Sequence, residues 1–344
     1  MNNPIIKPIW SDLMRDIKTA TFWKNPLKHI WYRIQWNLRP EINWSGSKPL
    51  SVDVELSNGC NFRCTMCQQS TNWLKKEEEL FMSWNTLKLV VDECKRLGVY
   101  SMKVNWRGEP TLDPECADKI AYIKQQGIHE VQMNSNASKL TPSFCDQLIE
   151  SGLDRIIFSC DGLSKETYNT IRRGGNFDTF VSNVTMFRQR RNAKDVGRNW
   201  FNRRLPVIRI NMAVMDQNRH EKPLFKDFFK DIADEMSFNE VYQPQSSNIN
   251  KGQKRKSKRK GCPQIWQRLI VSVHGTVMPC CVDFREKLAQ GTIQNESLST
   301  IWNSRMSNLR SMHKIGLGRK VSGCTNCDNF ALSEVDSTGK VVWK

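Results

Sequence analysis

Residues 58–67 read NGCNFRCTMC and place Cys60, Cys64 and Cys67 in a C-x3-C-x2-C pattern. Grouped thiolates are soft ligands, and such sets select zinc or iron–sulfur chemistry. A structural zinc site is closed by four ligands, and no histidine lies in this stretch to supply the fourth. A cubane 4Fe–4S cluster makes a different demand. Each iron takes one ligand beyond the inorganic sulfides, so three thiolates leave one iron open to a small molecule with amine and carboxylate groups. A second group, Cys262, Cys280, Cys324 and Cys327, follows the pattern C-x17-C-x43-C-x2-C. Four soft ligands suit either zinc or an iron–sulfur cluster, and Cys281 is an alternative ligand to its neighbour Cys280.

The first thiol group directly follows a short β-type run, LSVDVELS (50–57). That run opens a series in which apolar β-type segments alternate with amphipathic helical ones. The further strands are expected at 100–106, 129–135, 155–161, 205–214 and 238–244. Helices are expected at 83–97, 114–126, 142–151, 164–173, on to about 191, and at 221–235. Six strand–helix repeats imply a parallel sheet with right-handed crossovers, either open or rolled into a barrel. Chemistry in such folds gathers at the C-terminal ends of the strands, which is where the loop carrying Cys60, Cys64 and Cys67 falls.

Residues 1–50 are helix-like and rich in tryptophan (Trp10, Trp23, Trp31, Trp36 and Trp44). The stretch NPLKHIWYRIQWNL has apolar residues at helical spacing with cations between them. It either packs on the domain it precedes or makes a peripheral contact with an anionic membrane surface. Near the other end, LIVSVHGTVMPC predicts a β-hairpin turning at His274-Gly275, within a small second module at 262–344. The formal net charge is +17, and KGQKRKSKRK (251–260) supplies seven of the cations. That run is either a solvated linker or a contact for an anionic partner. No apolar run reaches the roughly 18 residues of a membrane span. The first residues lack the layout of a secretory signal. With twelve cysteines grouped rather than scattered, the expected compartment is a reducing cytoplasm.

In its C-x3-C-x2-C loop after the first strand, the sequence resembles the radical S-adenosylmethionine (radical SAM) enzymes. The resemblance extends to WRGEPTL (106–112), similar to the family's GGEP segment with Arg107 in place of a glycine. It extends further to NSNA (134–137) and to FSCDG…YNTIR (158–172). It implies a partial (β/α)6 TIM-like barrel over 51–245, joined by a basic linker (246–261) to the second module. It also implies a 4Fe–4S cluster on Cys60, Cys64 and Cys67, with S-adenosylmethionine (AdoMet) held by Met66, Gly108, Glu109, Asn134, Asn136, Ser159 and Arg172. CPQIW, PCC-x-D and the final C-x2-C resemble a SPASM/Twitch extension, which implies an auxiliary 4Fe–4S cluster on Cys262, Cys280, Cys324 and Cys327.

The implied chemistry is one-electron reductive cleavage of AdoMet to a 5′-deoxyadenosyl radical, which takes a hydrogen atom from substrate. The auxiliary cluster is then the electron acceptor, and a one-electron reductant such as flavodoxin or ferredoxin is the implied partner. A small-molecule substrate such as a sugar or cyclitol is expected. A peptide maturase and an RNA-modifying enzyme using the basic run are the alternatives. Cys94, Cys116 and Cys145 read as core residues. Cys160 is a candidate hydrogen donor to a substrate radical, although strand alternation turns it away from the site if Ser159 faces it.

Overall fold

The computed structural model describes residues 26–71, 80–199, 202–241, 261–325, 327, 333–335 and 341–343. Trp10, Trp23 and the basic run 251–260 lie outside the described residues. In chain order the barrel comprises α1 (Pro26–Glu41), β1 (Ser51–Val54), α2 (Trp84–Leu97), β2 (Ser101–Lys103), α3 (Cys116–Gln125), β3 (Glu130–Ser135), α4 (Pro142–Glu150) and β4 (Arg155–Ser159). It continues with α5 (Lys165–Ile171), α6 (Phe177–Lys194), β5 (Val207–Val214), α7 (Lys222–Phe229) and β6 (Glu235–Glu240). The C-terminal region adds β7 (Arg268–Val271), β8 (Thr276–Met278), β9 (Gly291–Thr292) and α8 (Met306–Lys314).

One open sheet runs β6-β5-β4-β3-β2-β1-β7-β8-β9. Six strands form the expected parallel array. The predicted hairpin is present and extends this sheet. Its first strand, β7, pairs parallel with β1, and β8 returns antiparallel around Gly275 at φ +87°. The sixth strand begins three residues before its predicted start.

Helix ends are set by local chemistry. Ser83 caps α2 by accepting from Thr86 N–H, and Gly98 terminates it at φ +64°, a left-handed conformation that costs glycine little. Thr141 caps α4, with Pro142 opening its first turn, and Ser164 and Asn176 cap α5 and α6. Each cap satisfies an N–H that the helix leaves without a partner.

The strand period divides the barrel into two environments. Outward positions such as Val52, Met102, Val131, Met133, Ile156 and Phe158 are fully buried against the helices. Inward positions are polar: Asp53, Lys103, Gln132 and Arg155 stand in register across β1–β4. The base is closed by α1. Tyr32 stacks on Tyr100 at 4.4 Å between ring centroids, His29 Nδ1 lies 3.0 Å from the Tyr100 hydroxyl, and Gln267 Nε2 donates to Trp36 O at 2.6 Å. The described part of the tryptophan-rich segment therefore packs on the barrel, although Leu27 and Trp31 of the same helix stay exposed.

Phe158 packs edge-on against Phe187 and holds β4 to α6. Phe158→Ala is expected to lower stability by about 3–5 kcal/mol through the cavity it leaves, measured as a lower urea midpoint with an unchanged m-value.

Candidate functional site

The C-terminal ends of β1, β2, β3 and β4, with the segments that follow them, meet over a cavity of about 210 Å³. Cys60, Cys64, Cys67 and Met66 line it from the first, Gly108 and Glu109 from the second, Asn134 and Asn136 from the third, and Ser159 and Arg172 from the fourth. The structure thus brings every residue of the first expected cluster and cofactor site to one place.

The thiol loop is fixed from the side of β4. Arg63 N–H donates to Arg173 O at 2.8 Å and Thr65 N–H to Ile171 O at 2.9 Å. Cys67 N–H donates to Cys64 O at 3.0 Å, a turn that sets two thiols on one side. Burial pushes the Cys60 thiol up to about 12, and the Glu109 carboxylate and the other two thiols add to the rise. Cys64 and Cys67 are also raised by burial, against the pull of the Arg172 guanidinium. Three crowded, desolvated thiols that resist ionisation alone suit a cationic iron–sulfur group that would stabilise their thiolates. Arg172 is itself fixed by Asp161, with Nε to Oδ2 at 2.6 Å.

Glu109 is the junction of the other segments. Its backbone N–H donates to Gly59 O at 2.8 Å. Its carboxylate accepts from Thr111 Oγ1 at 2.7 Å, Ser135 Oγ at 2.8 Å and Asn136 N–H at 2.7 Å. Burial raises its pKa, and these donors pull it back. Oε2 accepts only from Asn136 among the described residues, which leaves capacity for an ammonium group. Gly108 is dictated by close approach, since a Cβ there would lie 2.2 Å from Ser57 O. The buried Asn134 Oδ1 has no hydrogen-bond partner and belongs to a cavity-lining side chain. A buried acceptor of that kind is costly unless a ligand donates to it, so the cavity fits a molecule carrying amine, carboxylate and hydroxyl groups.

Arg107, which departs from the family's glycine, holds the two regions of the chain together. It makes a bidentate pair with Glu55 at 2.7 and 2.8 Å. It reaches Glu286 Oε1 at 2.9 Å and donates to Phe284 O at 3.0 Å. Trp106 beside it donates to Cys281 O at 2.8 Å and stacks on Phe284. The sequence alone did not show this role, because Glu55 lies 52 positions away and Glu286 179. Sequence reasoning also missed Asn105, which strand alternation from Lys103 sets on the cavity wall.

In the C-terminal region Cys262, Cys280, Cys324 and Cys327 come together. Burial raises Cys262 and Cys324 to about 12, with Cys327 and neighbouring thiols adding to it. Burial lifts Cys280 well above its usual value, with Cys262, Cys281 and Cys327 contributing. Cys327 N–H donates to Cys324 O at 3.2 Å, the turn also found at Cys64 and Cys67. His313, held neutral by burial with a pKa near 4, accepts from Cys262 N–H at 3.3 Å. Cys281, which adds to the rise at Cys280, also acts on the charges of Lys103 and Arg268. Among the described residues no three His, Cys, Asp or Glu side chains converge as on one ion. A cubane, with one thiolate per iron, does not ask for that convergence.

Cys160 is fully buried in the core beneath the helices and donates to Gly162 O at 3.1 Å. Ser159, its neighbour, lines the cavity. Alternation along β4 therefore removes Cys160 from the candidate hydrogen donors.

Residues 54–197 match the family model of the radical SAM superfamily, and residues 262–328 match that of the SPASM iron–sulfur cluster-binding domain. The chain thus carries a radical SAM domain followed by a C-terminal SPASM domain, the make-up of a radical SAM enzyme, and these domains imply AdoMet and two iron–sulfur clusters as cofactors. It is 28% identical over 200 residues to a protein of Saccharolobus solfataricus named "Probable GTP 3′,8-cyclase", covering 57% of this chain and 56% of that one. It spans a little over half the length of the curated relative it matches. Among solved structures it resembles BtrN in complex with AdoMet and 2-DOIA, with TM-score 0.52 and 18% identity over 85% of this chain and 98% of that one. It also resembles Streptococcus suis SuiB bound to precursor peptide SuiA, with TM-score 0.61 and 15% identity over 84% of this chain and 72% of that one. At these identities the likeness is one of fold.

Both members of the Glu55–Arg107 pair are buried, so removing one strands the other's charge. Arg107→Met is expected to cost about 3–5 kcal/mol, and adding Glu55→Gln should recover most of it. Urea unfolding of the two variants beside the unaltered chain checks both expectations.

Proposed function

We propose that this chain modifies a small molecule by radical chemistry begun at the Cys60, Cys64 and Cys67 site. In this reading those cysteines would hold a 4Fe–4S cluster with one open iron, and Cys262, Cys280, Cys324 and Cys327 would hold the auxiliary one. When bound, the first cluster and AdoMet supply hydrogen-atom abstraction from the substrate, and the auxiliary cluster supplies a one-electron acceptor. Glu109 Oε2 would accept from the AdoMet ammonium, Asn134 and Ser159 would bond its hydroxyls, and Arg172 would balance charge beside the thiolates. Met66 would supply a soft face to its adenine. An electron leaving the substrate for the auxiliary cluster makes the net change an oxidation. The observation that carries the reading is the cavity where three thiols, a buried carboxylate with capacity to spare and an orphaned amide oxygen face the same space.

A small substrate is favoured over a peptide because the barrel is closed at its base by α1 and its interior holds two small stacked cavities of about 210 and 270 Å³. Twelve free cysteines suit the reducing conditions of a cytoplasm. Among the described residues no helix is long and apolar enough to cross a membrane.

Oxygen-free, reconstituted protein is expected to hold about eight irons with matching sulfide. Cys60→Ala, Cys64→Ala and Cys67→Ala should each abolish formation of 5′-deoxyadenosine under dithionite, and undiminished product in any one of them overturns the assignment. Changing Cys324 and Cys327 together to alanine should remove substrate turnover more completely than AdoMet cleavage, as measured by the ratio of modified substrate to 5′-deoxyadenosine. Deuterium transfer from labelled candidates into 5′-deoxyadenosine identifies the substrate, and transfer from a labelled peptide but from no small molecule would replace this reading with the peptide one.

A further inference from the structure

Below the thiol-lined cavity lies a second one of about 270 Å³. The same strand faces line both. Lys103, Gln132 and Ile157 face the lower cavity, and Asn105, Asn134 and Ser159, each two residues further along the same segment, face the upper one. Two residues of extended chain span roughly 6–7 Å, so the cavities are stacked along the barrel axis. The lower one ends at α1, which contributes His29, Tyr32, Arg33 and Trp36.

Its charges do not balance. Arg33, Lys103, Arg155, Arg209 and Arg268 line it against Asp53 and Glu130. The carboxylates are already engaged: Asp53 pairs with Arg268 at 2.9 Å, and Arg155 lies 3.7 Å from Glu130. Glu235, on β6, reaches Arg209 at 2.6 Å, Arg203 at 2.7 Å and Arg155 at 3.7 Å. Lys103 has no hydrogen bond and no carboxylate within 4.0 Å among the described residues. It extends from the end of β2 into the cavity, where burial disfavours its charge, Arg268 and Arg209 add to that, and Asp53, beyond ion-pair distance, and the Cys281 thiol offset it in part. An inward lysine with no carboxylate partner, among arginines whose carboxylates are spoken for, is unfavourable in the empty protein and suited to receive an anion.

We propose that the lower cavity binds the oxyanion group, carboxylate or phosphate, of a small anionic substrate, with Lys103 as its main contact. This rests on the function proposed above and names the substrate class: a molecule with its oxyanion at the barrel base and its reacting carbon towards the thiol-lined cavity. A bound oxyanion would accept from Lys103 Nζ and offset the excess of cations. It would also reverse the burial effect that now lowers the lysine's pKa. Lys103 would be a binding residue, and Arg155, Arg209 and Arg268, fixed by their carboxylates, would shape the field around it.

Isothermal titration of the cluster-loaded full chain with pyrophosphate and with succinate tests the site and separates the two oxyanion sources. The unaltered protein is expected to bind at least one of them in the millimolar range or tighter, and Lys103→Met is expected to weaken that binding by about fivefold or more, the effect of losing one charge-assisted hydrogen bond. A smaller loss, as when the probe binds the basic surface instead, overturns the proposal, and so does the absence of binding of both probes to the unaltered protein. AdoMet binding by the same samples reports on folding. Should Lys103→Met lose it, Lys103→Gln takes its place with the same criterion. Anion binding lost with AdoMet binding kept in the unaltered protein sinks this proposal alone, whereas failure to bind AdoMet sinks the function proposed above.

Discussion

Glu55 and Arg107 meet at a point where three parts of the chain must agree. Glu55 continues the inward face of β1 beside the thiol loop, Arg107 precedes Gly108 and Glu109, and Glu286 and Phe284 belong to the C-terminal region. A buried ion pair is not stabilising merely because it exists, since both charges lose their hydration. This one is sustained by two-pronged geometry, by Val273 N–H donating to Glu55 Oε2 at 3.2 Å and by the Phe284 carbonyl. It needs all of those partners in place together, so its effect is to specify one arrangement of the segments around both cysteine groups. A glycine at position 107, as in the family pattern, has no side chain with which to impose that condition.

Glu109 acts in the same way on the other side. A carboxylate almost shut off from water persists because donors from Thr111, Ser135 and Asn136 converge on it. The ends of β2 and β3 are thereby registered to each other, and the Gly59 carbonyl adds the loop after β1. Desolvation raises the carboxyl pKa while the donors lower it. A cation placed against Oε2 would tip the balance towards the charged form.

Much of this was legible in the sequence, and for identifiable reasons. Cys60, Cys64 and Cys67 are read from spacing alone, and the strand period predicted that Ser159 and Cys160 face opposite ways. Gly108 belongs to a motif whose glycine is forced by the Ser57 and Gly59 carbonyls, a local demand that leaves a local mark. Arg107 was opaque because its partners, Glu55, Phe284 and Glu286, are 52 to 179 positions away, and no short-range pattern records such a meeting. The late placement of β6 arose because EMSFNE carries no unbroken apolar run. Its polar residues face the barrel interior, where polarity is the rule.

The pairing of β7 with β1 has the widest consequence. The thiol loop begins just after β1, and two of the C-terminal thiols, Cys262 and Cys280, flank the β7–β8 hairpin. Val54 stands opposite Val271 in the ladder, and Glu55 N–H continues it by donating to Val271 O at 2.9 Å. A hydrogen-bonded ladder and a buried ion pair, both short and stiff, therefore tie the two cysteine groups to one framework. Under the proposed function an electron would pass between them, and a shared sheet would keep their distance constant, because changing it would require breaking backbone hydrogen bonds in the buried part of the barrel.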